Sequence, residues 1–277
     1  LLERFEGAFG PVQGRSGIIS AVPERQVRHL EWEGCVNVRD LGGLPTSDGG
    51  QTRWGAVVRA DSLGALTSRG WEEACAHGIR TVIDLRNEDE WGKDAAPRPN
   101  SVTTIRIPLD EIEDREFWAD EWENGPQFGT PLYYGPHLGR FPAKNAEVIA
   151  AIANAKPGGV AFHCAGGRDR SGQVAMLVLA LAGVDPEDIA ADYVLSHERL
   201  RALHAARGEE DEGPMLEAFL RERGTNAAQV VVETLRSVDV GTTLAKGGLG
   251  EDEIRTLRRR VLMPRPNSPQ GDEVKHG

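Results

Sequence analysis

Short apolar blocks with a period of two alternate with longer blocks of helical period along the middle of this chain. Residues 54–59, 80–85 and 103–107 are brief runs rich in β-branched residues and read as strands. Residues 160–163, just after Lys156-Pro157-Gly158-Gly159, read as a short buried strand. Thr67 is placed to cap a helix over 68–77 that Gly78 ends, and residues 143–155 form a helix of strong formers. The stretch 171–182 is apolar nearly all round, which predicts a helix in the core, ended by Gly183. Asp185 is placed to cap the next helix, which Pro186 opens and which runs to about Arg207. Further helices are predicted near 215–223, 226–238 and 251–261. Strands alternating with helices predict an α/β fold: a central, mainly parallel sheet flanked by helices, with additional C-terminal helices.

One stretch breaks this rhythm. Residues 110–141 hold Trp118, Trp122, Phe128, Tyr133, Tyr134 and His137 among several acids. An insertion of that length in an α/β enzyme reads as a lid over a site, the other reading being a surface excursion with its own aromatic cluster. Residues 1–31 have weak periodicity and read as an N-terminal extension, and 263–277, with its prolines, as a disordered tail. The remaining 32–262 form one domain.

Composition narrows the function. The formal charge of −11 argues against nucleic acid as a partner, since a duplex demands a basic face. It leaves room for a small anion in a locally positive site. No stretch approaches membrane-spanning length, and three cysteines (Cys35, Cys75, Cys164) fit a reducing compartment without a disulfide framework. The first residues lack the shape of a signal peptide, so a cytoplasmic location is expected. No spacing suggests a metal site, and no cofactor is expected. The oligomeric state is left open.

The candidate chemistry lies between the strand at 160–163 and the core helix: His163-Cys164-Ala165-Gly166-Gly167-Arg168-Asp169-Arg170-Ser171. A loop from strand to helix N-terminus can turn successive N–H groups inward around an anion. Gly166 and Gly167 would ease the curl. Arg170, six residues after Cys164, can return beside the sulfur and grip two phosphate oxygens. The same field favours the thiolate, so Cys164 is expected to attack phosphorus and Arg170 and the loop amides to stabilise the transition state. Ala165 to Arg170 would bind the phosphate, Ser171 would hydrogen-bond the sulfur, and His163 would order the loop from behind. The other two cysteines lack this spacing: Leu41 lies six residues after Cys35 and Thr81 six after Cys75. Asp84, at the end of its strand, is aimed at the same sheet edge and is one candidate general acid.

His-Cys-x-x-Gly-x-x-Arg-Ser, from His163 to Ser171, resembles the signature of the protein tyrosine phosphatase superfamily. With Asp before the Arg, it is similar to a bacterial group of tyrosine and lipid phosphatases. Asn37-Val38-Arg39-Asp40-Leu41-Gly42-Gly43 resembles that group's N-terminal signature. Val58-Arg59-Ala60-Asp61, Ile83-Asp84-Leu85-Arg86, Asp192-Tyr193 and Leu249-Gly250-Glu251-Asp252 agree with it too. The resemblance covers about 32–262 and implies the tyrosine phosphatase fold, with a helical lid at 111–142. It also implies a loop Asp, here Asp169, as general acid, and it puts Asp110 where other tyrosine phosphatases carry a mobile acid loop. Two positions depart from the group: Arg168 stands for the usual Lys and Ser171 for the usual Thr. Arg39 and Asp40 read as a structural ion pair near the site, and Arg86 and Arg168 as residues that could hold a second anionic group. Cys35 could form a protective disulfide with oxidised Cys164.

The expected function is metal-independent phosphomonoester hydrolysis through a phosphocysteine, on a phosphorylated protein, a phosphoinositide or a small phosphorylated metabolite. The competing readings are a catalytically inactive phosphate-binding module and thiol chemistry of another kind. Cys164 and Arg170 together speak against the first, and the lack of a neighbouring resolving Cys speaks against the second.

Overall fold

The computed structural model describes residues 28–123 and 126–264, without the side chains of residues 120–123, 126, 206 and 207. The expectations for residues 1–27 and 265–277, and for the Trp122 side chain, fall outside the described residues. Five strands form one sheet: β1 (Arg39–Asp40), β2 (Val57–Ala60), β3 (Ile79–Asp84), β4 (Thr103–Arg106) and β5 (Gly159–His163). Their order is β1-β2-β5-β3-β4, parallel except for β1 on β2. The predicted α/β architecture is therefore present, with β5 at its centre. Residues 28–31, read as part of an extension, run along β1: Leu30 N–H donates to Val38 O and Asp40 N–H to Arg28 O.

The helices are α1 (Ser68–Ala76), α2 (Arg115–Glu123), α3 (Tyr134–Arg140), α4 (Pro142–Asn154), α5 (Asp169–Ala182), α6 (Pro186–Arg207), α7 (Gly213–Glu222), α8 (Ala227–Ser237), α9 (Val240–Lys246) and α10 (Glu251–Val261). Thr67 caps α1 as predicted, its hydroxyl accepting from Gly70 N–H. Asp185 stands at the N-cap of α6 with Pro186 after it, as predicted, but its side chain makes no capping hydrogen bond. Alternation along the strands builds two cores. Val58, Val82 and Ala161 face a cluster with Trp32, Leu66 and Trp71. Val57, Ile83, Val160 and Phe162 face the larger cluster, where α5 lies buried against β2, β5, α4, α6, α9 and α10.

The stretch expected to be a lid is two helices, α2 and α3, joined by two turns of 3₁₀ helix (Pro126–Gly129 and Pro131–Tyr133). Its aromatic side chains pack on one another: Trp118 edge-on to Phe128, Tyr133 edge-on to Tyr134 and His137. Tyr133, Tyr134 and His137 are fully buried. The inner half of the segment is thus core, and the outer half faces a cavity. Among the described residues no helix is long and apolar enough to cross a membrane.

Candidate active site

The central strand β5 ends at His163, and residues 164–168 curl from it into the first turn of α5. Five consecutive carbonyls of this loop are bound from outside. Ala165 O accepts from Ser62 N–H at 3.1 Å, and Gly166 O from the Asn37 amide at 2.9 Å. Arg59 donates to Gly167 O at 2.7 Å and Arg168 O at 3.3 Å, and the Tyr134 hydroxyl donates to Asp169 O at 2.8 Å. A planar trans peptide that turns its carbonyl outward turns its N–H inward. The N–H groups of residues 166–170 therefore line the inner side of the curl, a ring of donors at a helix N-terminus.

Cys164 sits at the base of this ring, 3% exposed. Its Sγ accepts from Gly167 N–H at 3.2 Å and from the Ser171 hydroxyl at 3.3 Å. Gly167 is required twice over: its φ is +71°, and a Cβ there would lie 2.6 Å from Asp61 N. Gly166, expected to ease the curl as well, has no left-handed φ, and a Cβ there would meet only a Leu200 methyl at 3.3 Å.

Arg170 lines a cavity of about 660 Å³ whose other walls come from residues 87–90 and 110–128. Both its terminal nitrogens meet the Glu90 carboxylate, and Nη1 lies 3.2 Å from Asp110 Oδ2. Burial opposes its charge, but Glu90, Asp110 and Cys164 outweigh burial and raise its pKa. The cavity wall is apolar on one side (Ile112, Trp118, Ala119, Phe128), with Asn87, Asp89, Glu90, Asp110 and Arg115 supplying polar groups.

The three candidate acids differ in surroundings. Asp84 is fully buried, gripped by Arg86 through Nε at 2.9 Å and Nη2 at 2.8 Å, with His163 Nε2 3.6 Å away. Burial would raise its pKa; the Arg86 hydrogen bonds and His163 prevail and lower it. Asp169 lies in the fork of Arg168, at 2.9 and 3.2 Å. Asp110 lines the cavity; its Oδ2 accepts from Asn87 at 2.9 Å, and its Oδ1 is buried with no hydrogen-bond partner among the described residues. Burial, against the pull of Arg170, pushes its carboxyl up to about 6.

The expected Arg39–Asp40 pair is not made. Arg39 turns to Asp192 and Ser196, whereas Asp40 accepts from Gly42 N–H, Gly55 N–H and His77. Asp192, on α6, gathers Arg28, Arg39 and Arg59; burial opposes its charge, yet the three guanidinium groups hold it well below the usual carboxylate range. Arg86 and Arg168, considered for a second anionic group, are each committed to the neighbouring Asp. His163 lies behind the loop, its Nδ1 3.2 Å from Cys164 O, and burial pushes it down to about 4. Sequence reasoning did not single out Asn87, Glu90 or Arg115. Glu90 stands four residues after Arg86, a spacing that suggests a local ion pair rather than the distant Arg170.

Residues 30–263 match the model of a tyrosine phosphatase family. A tyrosine-protein phosphatase of Nostoc commune is 31% identical over 221 residues, covering 74% of each chain. A relative from Cupriavidus necator, named for the same activity, is 29% identical over 201 residues, 67% of this chain and 72% of its own. The triple specificity protein phosphatase PtpB of Mycobacterium tuberculosis is 26% identical over 203 residues, 63% of this chain and 71% of its own. With the match spanning nearly the whole described chain, the protein belongs to the tyrosine phosphatase family and is a phosphatase.

Proposed function

We propose that the protein hydrolyses phosphate monoesters, aryl esters of the phosphotyrosine kind foremost, through a phosphocysteine at Cys164 and without a metal. The observation that carries this reading is the sulfur at the base of the amide ring, hydrogen-bonded by Gly167 and Ser171 beside Arg170. In the first step Sγ attacks phosphorus in line, the inward N–H groups hold the equatorial oxygens, and Arg170 exchanges the Glu90 carboxylate for two of them. The P–O bond to the leaving group breaks, and Asp110 gives that oxygen its proton. In the second step water attacks phosphorus, Asp110 takes the water's proton, and the S–P bond breaks. Ser171 then stabilises the departing thiolate.

Asp110 suits the acid role because burial keeps it protonated into the range near pH 6 and one oxygen is left without a partner. Asp84 and Asp169 have their carboxylates in arginine forks and act in this reading as struts. The apolar wall of Ile112, Trp118 and Phe128 fits an aromatic ring.

The test is release of phosphate from p-nitrophenyl phosphate, with and without a chelator, by the protein and by Cys164→Ser. Chelator-resistant activity that disappears in Cys164→Ser, with ³²P trapped on the wild-type chain after acid quench, is the expected result. Activity surviving in Cys164→Ser, or lost to the chelator, would overturn the reading. The name of the mycobacterial relative assigns that protein three specificities, so a panel of phosphotyrosine, phosphoserine and phosphoinositide substrates follows; preference for the first is expected here.

A further inference from the structure

The amide that touches the nucleophile is itself held by a chain of donors that begins at a buried cation. Arg39 Nη1 donates to Asn37 Oδ1 at 2.6 Å. The other end of the same amide, Asn37 Nδ2, donates to Gly166 O at 2.9 Å. Gly166 O and Gly167 N belong to one peptide group, and that N–H donates to Cys164 Sγ at 3.2 Å. Each link pulls electron density toward the guanidinium, so each makes the next N–H a stronger donor. Asn37 and Arg39 are wholly buried, where such polarisation is weakly screened.

The relay is fixed in place from both sides. Arg39 is anchored by Asp192 O at 3.0 Å, by Asp192 Oδ1 at 3.3 Å and by Ser196 at 2.9 Å. The Asn37 backbone N–H donates to Asp61 Oδ1 at 3.1 Å, and Gly167 packs against the Asp61 backbone. Arg28, Arg39 and Arg59 outnumber the single carboxylate of Asp192 at their meeting point, which leaves the cluster positive.

We propose that Asn37 and Arg39 are positioning residues that set the charge on the nucleophile, through the relay Arg39 to Asn37 to the 166–167 peptide to Cys164 Sγ. The inference rests on the phosphocysteine reading but is read out on the thiol itself. A residue that merely pinned the loop would alter the ionisation of the sulfur only where the loop moved; the relay alters it with the loop in place.

The experiment is the pH dependence of iodoacetamide alkylation, quantified at the Cys164 peptide by mass so that Cys35 and Cys75 do not contribute. Asn37→Leu keeps about the same volume, adds no charge and loses the donor to Gly166 O. The midpoint of its alkylation curve should rise by about one pH unit, which is about tenfold slower reaction on the acid side. Arg39→Gln should shift it in the same direction and Arg39→Lys by less. The acid limb of kcat/KM should move with the alkylation midpoint. Unchanged midpoints in folded variants overturn the relay. If the variants do not fold, the wild-type protein still decides it. In ¹⁵N-labelled protein the Gly167 amide and the Asn37 side-chain amide should titrate together with the alkylation midpoint, and an Asn37 amide that stays still overturns the relay. Failure of the phosphocysteine reading would appear separately, as activity retained in Cys164→Ser.

Discussion

Asp84, Asp110 and Asp169 carry the same carboxyl in three different settings, and the settings make separate predictions. Asp110→Asn should cost kcat/KM about 100-fold with an alkyl phosphate and little with p-nitrophenyl phosphate, whose leaving group needs no proton. In the proposed first step Asp110 acts protonated, so kcat/KM should fall as pH rises through about 6, and this limb should be absent from the variant. Equal losses on both substrates would assign the proton elsewhere. Asp84→Asn and Asp169→Asn should reduce both substrates alike, because they release Arg86 and Arg168 rather than withhold a proton. Gly167→Ala combines a left-handed φ with a Cβ 2.6 Å from Asp61 N. A cost of about 1–3 kcal/mol from the strain is expected, visible as a lower melting temperature, together with loss of phosphate binding as the cradle opens.

Among the elements, the aromatic segment divides into two halves with different duties. Tyr134 ties α3 to the phosphate loop through Asp169 O, so Tyr134→Phe should lose about 1 kcal/mol of stability in urea unfolding. Trp118 belongs to the cavity wall, and Trp118→Ala should raise KM for an aryl phosphate about tenfold while leaving inhibition by inorganic phosphate unchanged. Loss of inhibition as well would mean that the helix also shapes the cradle. Elements with a sustained period were legible from sequence. β3, β5, α4 and α5 lie within a residue or two of their expected bounds because burial on one face, or all faces, fixes the pattern. The two-residue β1 and the short α3 and α9 were not, since pairing and packing rather than local preference hold them. The site followed the same rule. Residues 163–171 are contiguous and could be read as a unit. Glu90 reaches Arg170 across the sheet edge, and Asn37 reaches Gly166 from β1's approach, so neither contact leaves a local trace.

For the molecule as a whole, acid should be more damaging than the carboxylate count suggests. Burial pushes His137 and His163 down to about 4, while unfolded histidines bind a proton near 6.5. The unfolded chain therefore holds more protons as pH falls from about 6.5 to about 4, and each group removes about 1.4 kcal/mol per pH unit. Asp110 works the other way, since its folded carboxyl takes a proton near 6 and its unfolded one near 3.8. For these three groups the balance is a loss of about 1.4 kcal/mol per unit between pH 6 and 4, with His29 and His197, also lowered by burial, acting in the same direction; a fall in melting temperature of several degrees is expected. Asp110→Asn should steepen that fall; a melting temperature that holds steady on acidification would contradict the assignment. The groups around the sulfur come from the loop after β5 and the first turn of α5, held from behind by Asn37, Arg39 and Arg59, whereas the cavity wall comes from residues 87–90 and from 110–128. Cradle and wall thus lie on separate stretches of chain that meet at Arg170, with the proposed acid Asp110 reaching in from the wall. Substitutions at Ile112, Trp118, Ala119 and Phe128 can accumulate without touching the reaction, so lineages that share this cradle are free to part company over what they dephosphorylate, and inheritance of the mechanism is a poor guide to inheritance of the substrate.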